Sequence, residues 1–204
     1  MEIVKYILLG FSLAATLGPI TVETVNRGLK HGFFPAFLLN IGAVVADGVY
    51  LVLIFFGLST FADNSMFKLV LTIFGVLVLG YLGVGNIREF TKDVKLTKNT
   101  NKTFKGSLLA GFIINMANPM ALICWVGFYG VVSATTKNLT NIKLLGNLGV
   151  VIVGALLWGI FLALLCHVGR KYVNEKIIKV ISLITGLFLI GFGIYLAYGL
   201  KELI

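Results

Sequence analysis

One carboxylate, Asp47, stands between Ala43-Val44-Val45-Ala46 and Val49-Tyr50-Leu51, near the middle of a long apolar stretch. A charge at the centre of a bilayer costs about 2.5–3.5 kcal/mol on insertion scales, so such a group must face water or the interior of a helix bundle. A carboxyl held there is suited to take up and release a proton, the step that coupling to a proton gradient requires. The alternative is a structural carboxyl bonded to freed backbone amides or to a neighbouring asparagine.

Two proline breaks, Gly18-Pro19 and Asn118-Pro119, interrupt the first apolar segment of each half of the chain. Proline has no N–H and clashes with the preceding turn, so each break leaves backbone groups unpaired. At membrane depth such groups survive only where protein or a water-filled cavity satisfies them, and there they can act as ligands. A half-helix starting at Pro19 or Pro119 presents N–H groups and a positive dipole end, which suit a carboxylate. Carbonyls on the other side of the break suit an ammonium group, so a zwitterionic amino acid matches both needs.

Other polar residues gather near these positions. Asn115 and Asn118 add neutral hydrogen-bonding groups, and Asn40 lies two turns before Asp47. Each asparagine could equally serve only to bond one helix to another. Glu23 follows Pro19 by four residues and precedes Arg27 by four, so on a continuing helix it faces Arg27 as an ion pair or as a substrate contact. Trp158, deep in the fifth apolar segment, is a candidate cavity-lining residue, whereas Trp125, Phe128 and Tyr129 suit packing or interfacial anchoring. Cys124 and Cys166 have no CxxC partner, and His31 and His167 lie in or beside basic connections. They read as small thiols and interfacial histidines, so no metal or other cofactor is expected. No Ser-His-Asp or Cys-His set and no nucleotide-binding loop is present, which points away from an enzyme.

The elements that must position these residues are apolar. Of 204 residues, 58% are hydrophobic and 12% charged, with mean hydropathy +1.00, which predicts an integral membrane protein in contact with lipid on most of its surface. Six stretches approach the ~20 residues a spanning helix needs, over 3–25, 34–58, 69–87, 106–134, 144–166 and 180–200. They are too long and too continuously apolar for strands of an outer-membrane barrel. The start, Met1-Glu2-Ile3-Val4-Lys5, is weakly charged and no small-residue cleavage site follows, so the first segment reads as retained.

Twelve of the 17 basic residues fall in the connections after the first, third and fifth segments, leaving Lys5, Lys68, Lys137, Lys143 and Lys201 on the other side. The positive-inside rule then places both termini outside the cytoplasm. The net charge of +9 is thus an orientation signal, compatible with binding anionic headgroups, and no nucleic-acid partner is expected.

The Lys-, Thr- and Asn-rich connection at 91–105 divides a single transport domain, 1–204, into a first repeat (1–90) and a second (106–204) of three spans each. The breaks repeat after 100 residues. The glycine pairs Gly75/Gly80 and Gly186/Gly191 repeat after 111. Three spans per unit force the second unit to enter from the opposite side, giving inverted repeats whose first helices are broken, an arrangement suited to alternating access. Gly42-x-x-x-Ala46, Gly80-x-x-Gly83 and Gly149-x-x-x-x-Gly154 read as close-packing faces, because small residues let helix backbones approach in lipid.

Gly18-Pro19, the Arg27-Gly28-Leu29-Lys30-His31-Gly32 turn and Gly42-x-x-x-Ala46-Asp47 resemble the first half of the LysE-type (lysine exporter/RhtB) amino-acid exporter family. Asn118-Pro119 with its aromatic-rich sequel, Trp158 with Arg170-Lys171, and the glycine-rich last helix resemble its second half. The resemblance covers essentially the whole chain. It implies secondary-active export of amino acids or related small metabolites across the bacterial cytoplasmic membrane, by a homodimer, with functional positions at Gly18, Pro19, Asp47, Asn118 and Pro119. The chain departs from the family pattern in two places. Thr16-Leu17-Gly18-Pro19 stands where many members have Gly-Pro-Gly-Pro, and Asn118-Pro119-Met120 where many have Asn-Pro-Lys. Losing that lysine puts in doubt any substrate class tied to it and leaves Asp47 without an evident cationic partner. Competing readings are an exporter of metal or other small toxic ions on a related scaffold, which calls for clustered His, Cys or carboxylate ligands, and a membrane enzyme or assembly subunit.

Overall fold

In a computed structural model, residues 2–15, 18–58, 65–91, 100–135 and 141–199 are described, and every regular element among them is a helix. In chain order these are α1 (Glu2–Ala14), α2 (Pro19–His31), α3 (Phe33–Leu53, ending in a π turn at Ile54–Leu58), α4 (Ser65–Thr91), α5 (Thr100–Met116), α6 (Pro119–Thr135), α7 (Asn141–Gly169, followed by a 3-10 turn at Arg170–Tyr172) and α8 (Glu175–Gly199). Apolar runs adopt helices because lipid offers nothing for a free backbone N–H or C=O to bond.

Among the described residues, three helices are long and apolar enough to cross a bilayer: Phe33–Phe56, Lys143–Tyr172 and Glu175–Tyr198. The bent pair Gly106–Met116 and Pro119–Gly127 makes a fourth if counted as one span, while Ile3–Ser12 and Thr72–Arg88 are shorter apolar helices. Val70, Ile73 and Leu77 on α4, and Val180, Ile184, Leu187 and Ile194 on α8, form exposed apolar rows at helical spacing. Such rows fit lipid tails and would be a liability in water. The molecule is an all-α membrane protein.

The polar connection expected at 91–105 is helical at both ends, since α4 runs to Thr91 and α5 begins at Thr100; 92–99 lie outside the described residues. The corner between α2 and α3 is tight. Gly32 has φ 92, the left-handed region that glycine enters at little cost, and its N–H returns to the Gly28 carbonyl at 3.0 Å.

The main helix pairs are α4 with α8, α3 with α5, and α1 with α7, with α3 against α7 at the centre and α2 against α3, α7 and α8. Glycines set how close two of these pairs come. A Cβ on Gly10 (α1) would overlap the Val151 carbonyl oxygen (α7), and one on Gly154 would overlap that of Ile7. Likewise a Cβ on Gly111 (α5) would overlap the Leu39 carbonyl oxygen (α3), and one on Gly42 that of Leu108. Of the expected packing faces, Gly42, Gly83 and Gly154 make close approaches. At Gly80 and Gly149 an added Cβ would meet nothing within 4 Å among the described residues, because those positions face outward from the helix contacts.

Two apolar clusters fill the interior. Tyr50, Ile54, Leu122, Trp125, Leu148 and Val151 join α3, α6 and α7, while Leu39, Leu79, Ile114 and Leu189 join α3, α4, α5 and α8.

Candidate functional site

The polar residues collect in two places, one at each proline break. At Asn118-Pro119 the chain turns by 67° between α5 and α6. Pro119 cannot donate to the carbonyl four residues back, so Asn118 N–H bonds the Asn115 carbonyl instead, at 3.1 Å. Tyr50 Oη on α3 donates to the Met116 carbonyl at 2.8 Å. Asn118 Oδ1 accepts from Met120 N–H at 3.1 Å, the geometry of an N-cap for α6. Gly75 lets α4 approach the same turn, since a Cβ there would overlap the Ala117 carbonyl oxygen. The break is therefore held by hydrogen bonds from α3, from α6 and within the turn itself, and by the close approach of α4.

Asp47 sits beside it. Its Oδ1 accepts from Trp125 Nε1 (α6) at 2.6 Å and from Asn115 Nδ2 (α5) at 2.8 Å. Asn115 Nδ2 also reaches the Ala43 carbonyl at 2.8 Å. One carboxylate oxygen thus ties α3 to both arms of the bend. Its donors are neutral, and no cationic side chain pairs with Asp47 among the described residues.

The first break differs. Gly18 is extended (φ −134, ψ 177), α2 begins at Pro19, and Val22 N–H closes on the Gly18 carbonyl at 3.1 Å; residues 16–17 lie outside the described residues. One turn along α2, Glu23 is only 3% exposed. Its Oε1 accepts from Arg27 Nε at 2.7 Å and its Oε2 from Asn86 Nδ2 (α4) at 3.1 Å. Arg27 Nη1 donates onward to Ser107 Oγ (α5) at 2.8 Å, and Asn26 Nδ2 donates to Asn86 Oδ1 at 2.6 Å. A cavity of about 620 Å³ opens beside this group, lined by Glu23, Arg27, Asn86, Tyr81 and Arg88 and by α4 backbone around Gly80 and Gly85.

The remaining candidates stand apart from both groups. Asn40 Nδ2 bonds Thr24 Oγ1 at 3.1 Å and the Ala36 carbonyl at 2.8 Å, and the Asn40 side chain presses on Gly159 of α7, where a Cβ would come within 2.7 Å. It joins α2, α3 and α7 and has no bond to Asp47. Trp158 packs edge-on to Phe11 of α1 (centroids 5.1 Å apart), and its buried Nε1–H has no hydrogen-bond partner among the described residues.

Of the residues expected to share a site, the structure therefore joins Asp47, Asn115, Asn118 and Pro119. It puts Glu23 in a second group near Gly18-Pro19, and leaves Asn40 and Trp158 between helices. Tyr50, Asn86, Asn26 and Ser107 enter these groups without having been singled out. Asn86 carried a readable signal, as a polar residue inside the third apolar segment.

With this geometry in view, comparison with known proteins is informative. The profile of the LysE type translocators matches residues 11–200. The chain belongs to the LysE type translocator family. It is similar to the Bacillus subtilis protein named "Putative amino acid efflux protein YcgF", at 32% identity over 203 residues, covering 98% of this chain and 97% of that one. It is also similar to "Chemotactic transduction protein ChpE" of Pseudomonas aeruginosa, at 28% identity over 119 residues, 58% of this chain and 59% of that protein. A third relative, "Uncharacterized membrane protein YrhP" of Bacillus subtilis, is 25% identical over 206 residues, 95% of this chain and 97% of its own. No solved structure is a significant match. Family membership assigns this LysE type translocator a transport role.

Proposed function

We propose that this LysE type translocator is a proton-coupled secondary exporter of amino acids or related small metabolites, working across the cytoplasmic membrane with both termini outside. The observation that carries the reading is Asp47, whose single Oδ1 is held by neutral donors from both arms of the helix bent at Asn118-Pro119. As an anion it accepts both bonds. Taking up a proton weakens them together and loosens α5 and α6 from α3, so proton binding and a change at the break are one event. The similarity to an amino acid efflux protein supports the substrate class.

In the same reading the six spans form two inverted repeats, α1–α4 and α5–α8. The glycine contacts support it. Gly10 meets Val151 and Gly154 meets Ile7 across α1 and α7; Gly111 meets Leu39 and Gly42 meets Leu108 across α5 and α3. Exchanging the halves converts one set into the other, with a constant offset of 101 residues in the first helix and 112 in the second. Gly83 and Gly186 also meet each other across α4 and α8, the third helices of the two units. Two such units can exchange conformations to open a central site to either side.

The test is efflux from proteoliposomes loaded with labelled amino acids, with and without an imposed pH gradient. Wild type should show gradient-stimulated efflux and Asp47→Asn should lose the stimulation. Efflux in Asp47→Asn that still responds fully to the gradient removes Asp47 from the mechanism.

A further inference from the structure

The Glu23–Arg27 pair is an unusual thing to keep in an apolar bundle. Removing two charges from water costs several kcal/mol per ion in real proteins, and replacing such a pair with apolar residues is often neutral or stabilising. Stability therefore does not explain it. Nor is the pair sealed, because both residues line the 620 Å³ cavity, which opens at the surface beside exposed Tyr81 and Val84.

The hydrogen-bond inventory leaves capacity on both sides. Arg27 has five N–H donors, of which protein takes one on Nε and one on Nη1. Those that remain have no protein partner among the described residues. A guanidinium edge of this kind binds a carboxylate through two parallel bonds. Glu23 accepts one bond on each oxygen, while a carboxylate has about four acceptor positions. Asn86 holds the Glu23 carboxylate in place and is itself held by Asn26, so the acceptor is oriented before anything arrives. Along α2, Glu23 lies about 6 Å and Arg27 about 12 Å from the Gly18-Pro19 break, one and two helical turns.

We propose that this cavity is a docking site for zwitterions: the α-ammonium of an amino acid binds Glu23, its α-carboxylate binds Arg27, and Asn86 is a positioning residue for Glu23. The proposal rests on the export reading above and deepens it. It makes both backbone charges of the amino acid obligatory, with the side chain directed to Tyr81 and the glycine-lined wall of α4. The charges of the pair already cancel, so a molecule lacking either of its own charges brings an unbalanced net charge into the site, a cost that the zwitterion avoids.

The experiment uses the purified full chain in liposomes loaded with a mixture of the labelled common amino acids. The best-exported one is then compared with its own α-amide, which lacks the carboxylate, and its N-acetyl form, which lacks the ammonium. Wild type should prefer the parent over each derivative by at least about tenfold. Arg27→Gln should erase the preference over the amide, and Glu23→Gln the preference over the N-acetyl form. Binding is read separately by thiol labelling of Gly85→Cys in a background of Cys124→Ala and Cys166→Ala. Gly85 lines the cavity and a Cβ there meets nothing within 4 Å among the described residues. The parent amino acid should slow labelling at least about fivefold, and neither derivative should. If wild type exports amino acids but labelling is unprotected, or the folded variants keep both preferences, the docking site is wrong and the export reading stands. If wild type moves no amino acid and none protects Gly85→Cys, both fall.

Discussion

Trp125 and Asp47 lie 78 positions apart in the chain and are joined by a 2.6 Å bond from the indole N–H to one carboxylate oxygen. Because Asn115 donates to that same oxygen, α3 is fastened at one atom to the helix before the bend and the helix after it. Anything that alters the carboxylate reaches both arms at once.

Removing one donor should separate the structural part of this tie from the protonic part. Trp125→Phe keeps an aromatic ring but deletes the N–H and leaves a small void at a position only 2% exposed. Loss of the bond and incomplete repacking together should cost about 1–3 kcal/mol. Asp47→Asn still offers an oxygen to both donors, so its cost should be smaller although it cannot titrate. Thermal unfolding of the two purified proteins should rank Trp125→Phe as the less stable, while the pH-gradient response of efflux should be lost in Asp47→Asn. The opposite ranking would mean that the Asp47 charge itself holds the break together.

Tyr50 tests the backbone side of the same place. Its hydroxyl bonds the Met116 carbonyl at 2.8 Å, and the ring is 2% exposed. Tyr50→Phe is nearly isosteric, so what it removes is one hydrogen bond to a carbonyl left free by the break. A bond of this kind inside a membrane protein is worth about 0.6 kcal/mol on average and up to about 1.7. The variant should unfold at a slightly lower temperature yet retain gradient-stimulated efflux. An efflux defect out of proportion to the stability loss would place Tyr50 in the transport cycle.

Both breaks and the central carboxylate were legible in the chain because each violates a strong rule: prolines inside apolar helices, and a charge where lipid is expected. What occupied the space between them was not legible. Asn40 and Asp47 share one helix, and spacing alone could not say that Asn40 turns to Thr24 on α2 while Asp47 turns to α5 and α6. Glu23 and Arg27 were readable as neighbours four residues apart. Their burial depends on Asn86, 63 positions from Glu23, which only tertiary packing brings near. The close-packing glycines were partly legible, since Gly80 and Gly149 look like Gly83 and Gly154 in sequence and differ only in which way the helix faces.

Asn118 offers a test of whether its role is to cap a helix or to supply an amide. Its Oδ1 accepts the Met120 N–H at 3.1 Å, and aspartate or serine can do the same. Replacing an N-cap by alanine costs about 1 kcal/mol, whereas exchange among good caps costs far less. Asn118→Ser adds no charge near Asp47 and should therefore unfold close to wild type, with Asn118→Ala a few degrees lower. If efflux follows stability across the two, capping accounts for Asn118. Loss of efflux in both, with only alanine destabilised, would assign the amide nitrogen to the substrate.

Glycines at the first break and in the helix contacts should behave in opposite ways. A methyl group at Gly10 or Gly111 would run into a backbone carbonyl, which cannot move aside as a flexible side chain does. Gly10→Ala and Gly111→Ala should both lower stability, by similar amounts of about 1–3 kcal/mol if the two contacts are equivalent. Gly18 is in extended backbone that any residue can adopt, and a Cβ there meets nothing within 4 Å among the described residues. Gly18→Ala should therefore fold within about 0.5 kcal/mol of wild type. Its methyl group would point into the open space beside the break, so its effect should fall on flux: slower efflux at unchanged unfolding temperature. Thermal unfolding and efflux on the same three preparations decide the matter. A Gly18→Ala protein with unaltered efflux would show that the cargo does not pass close to the first break.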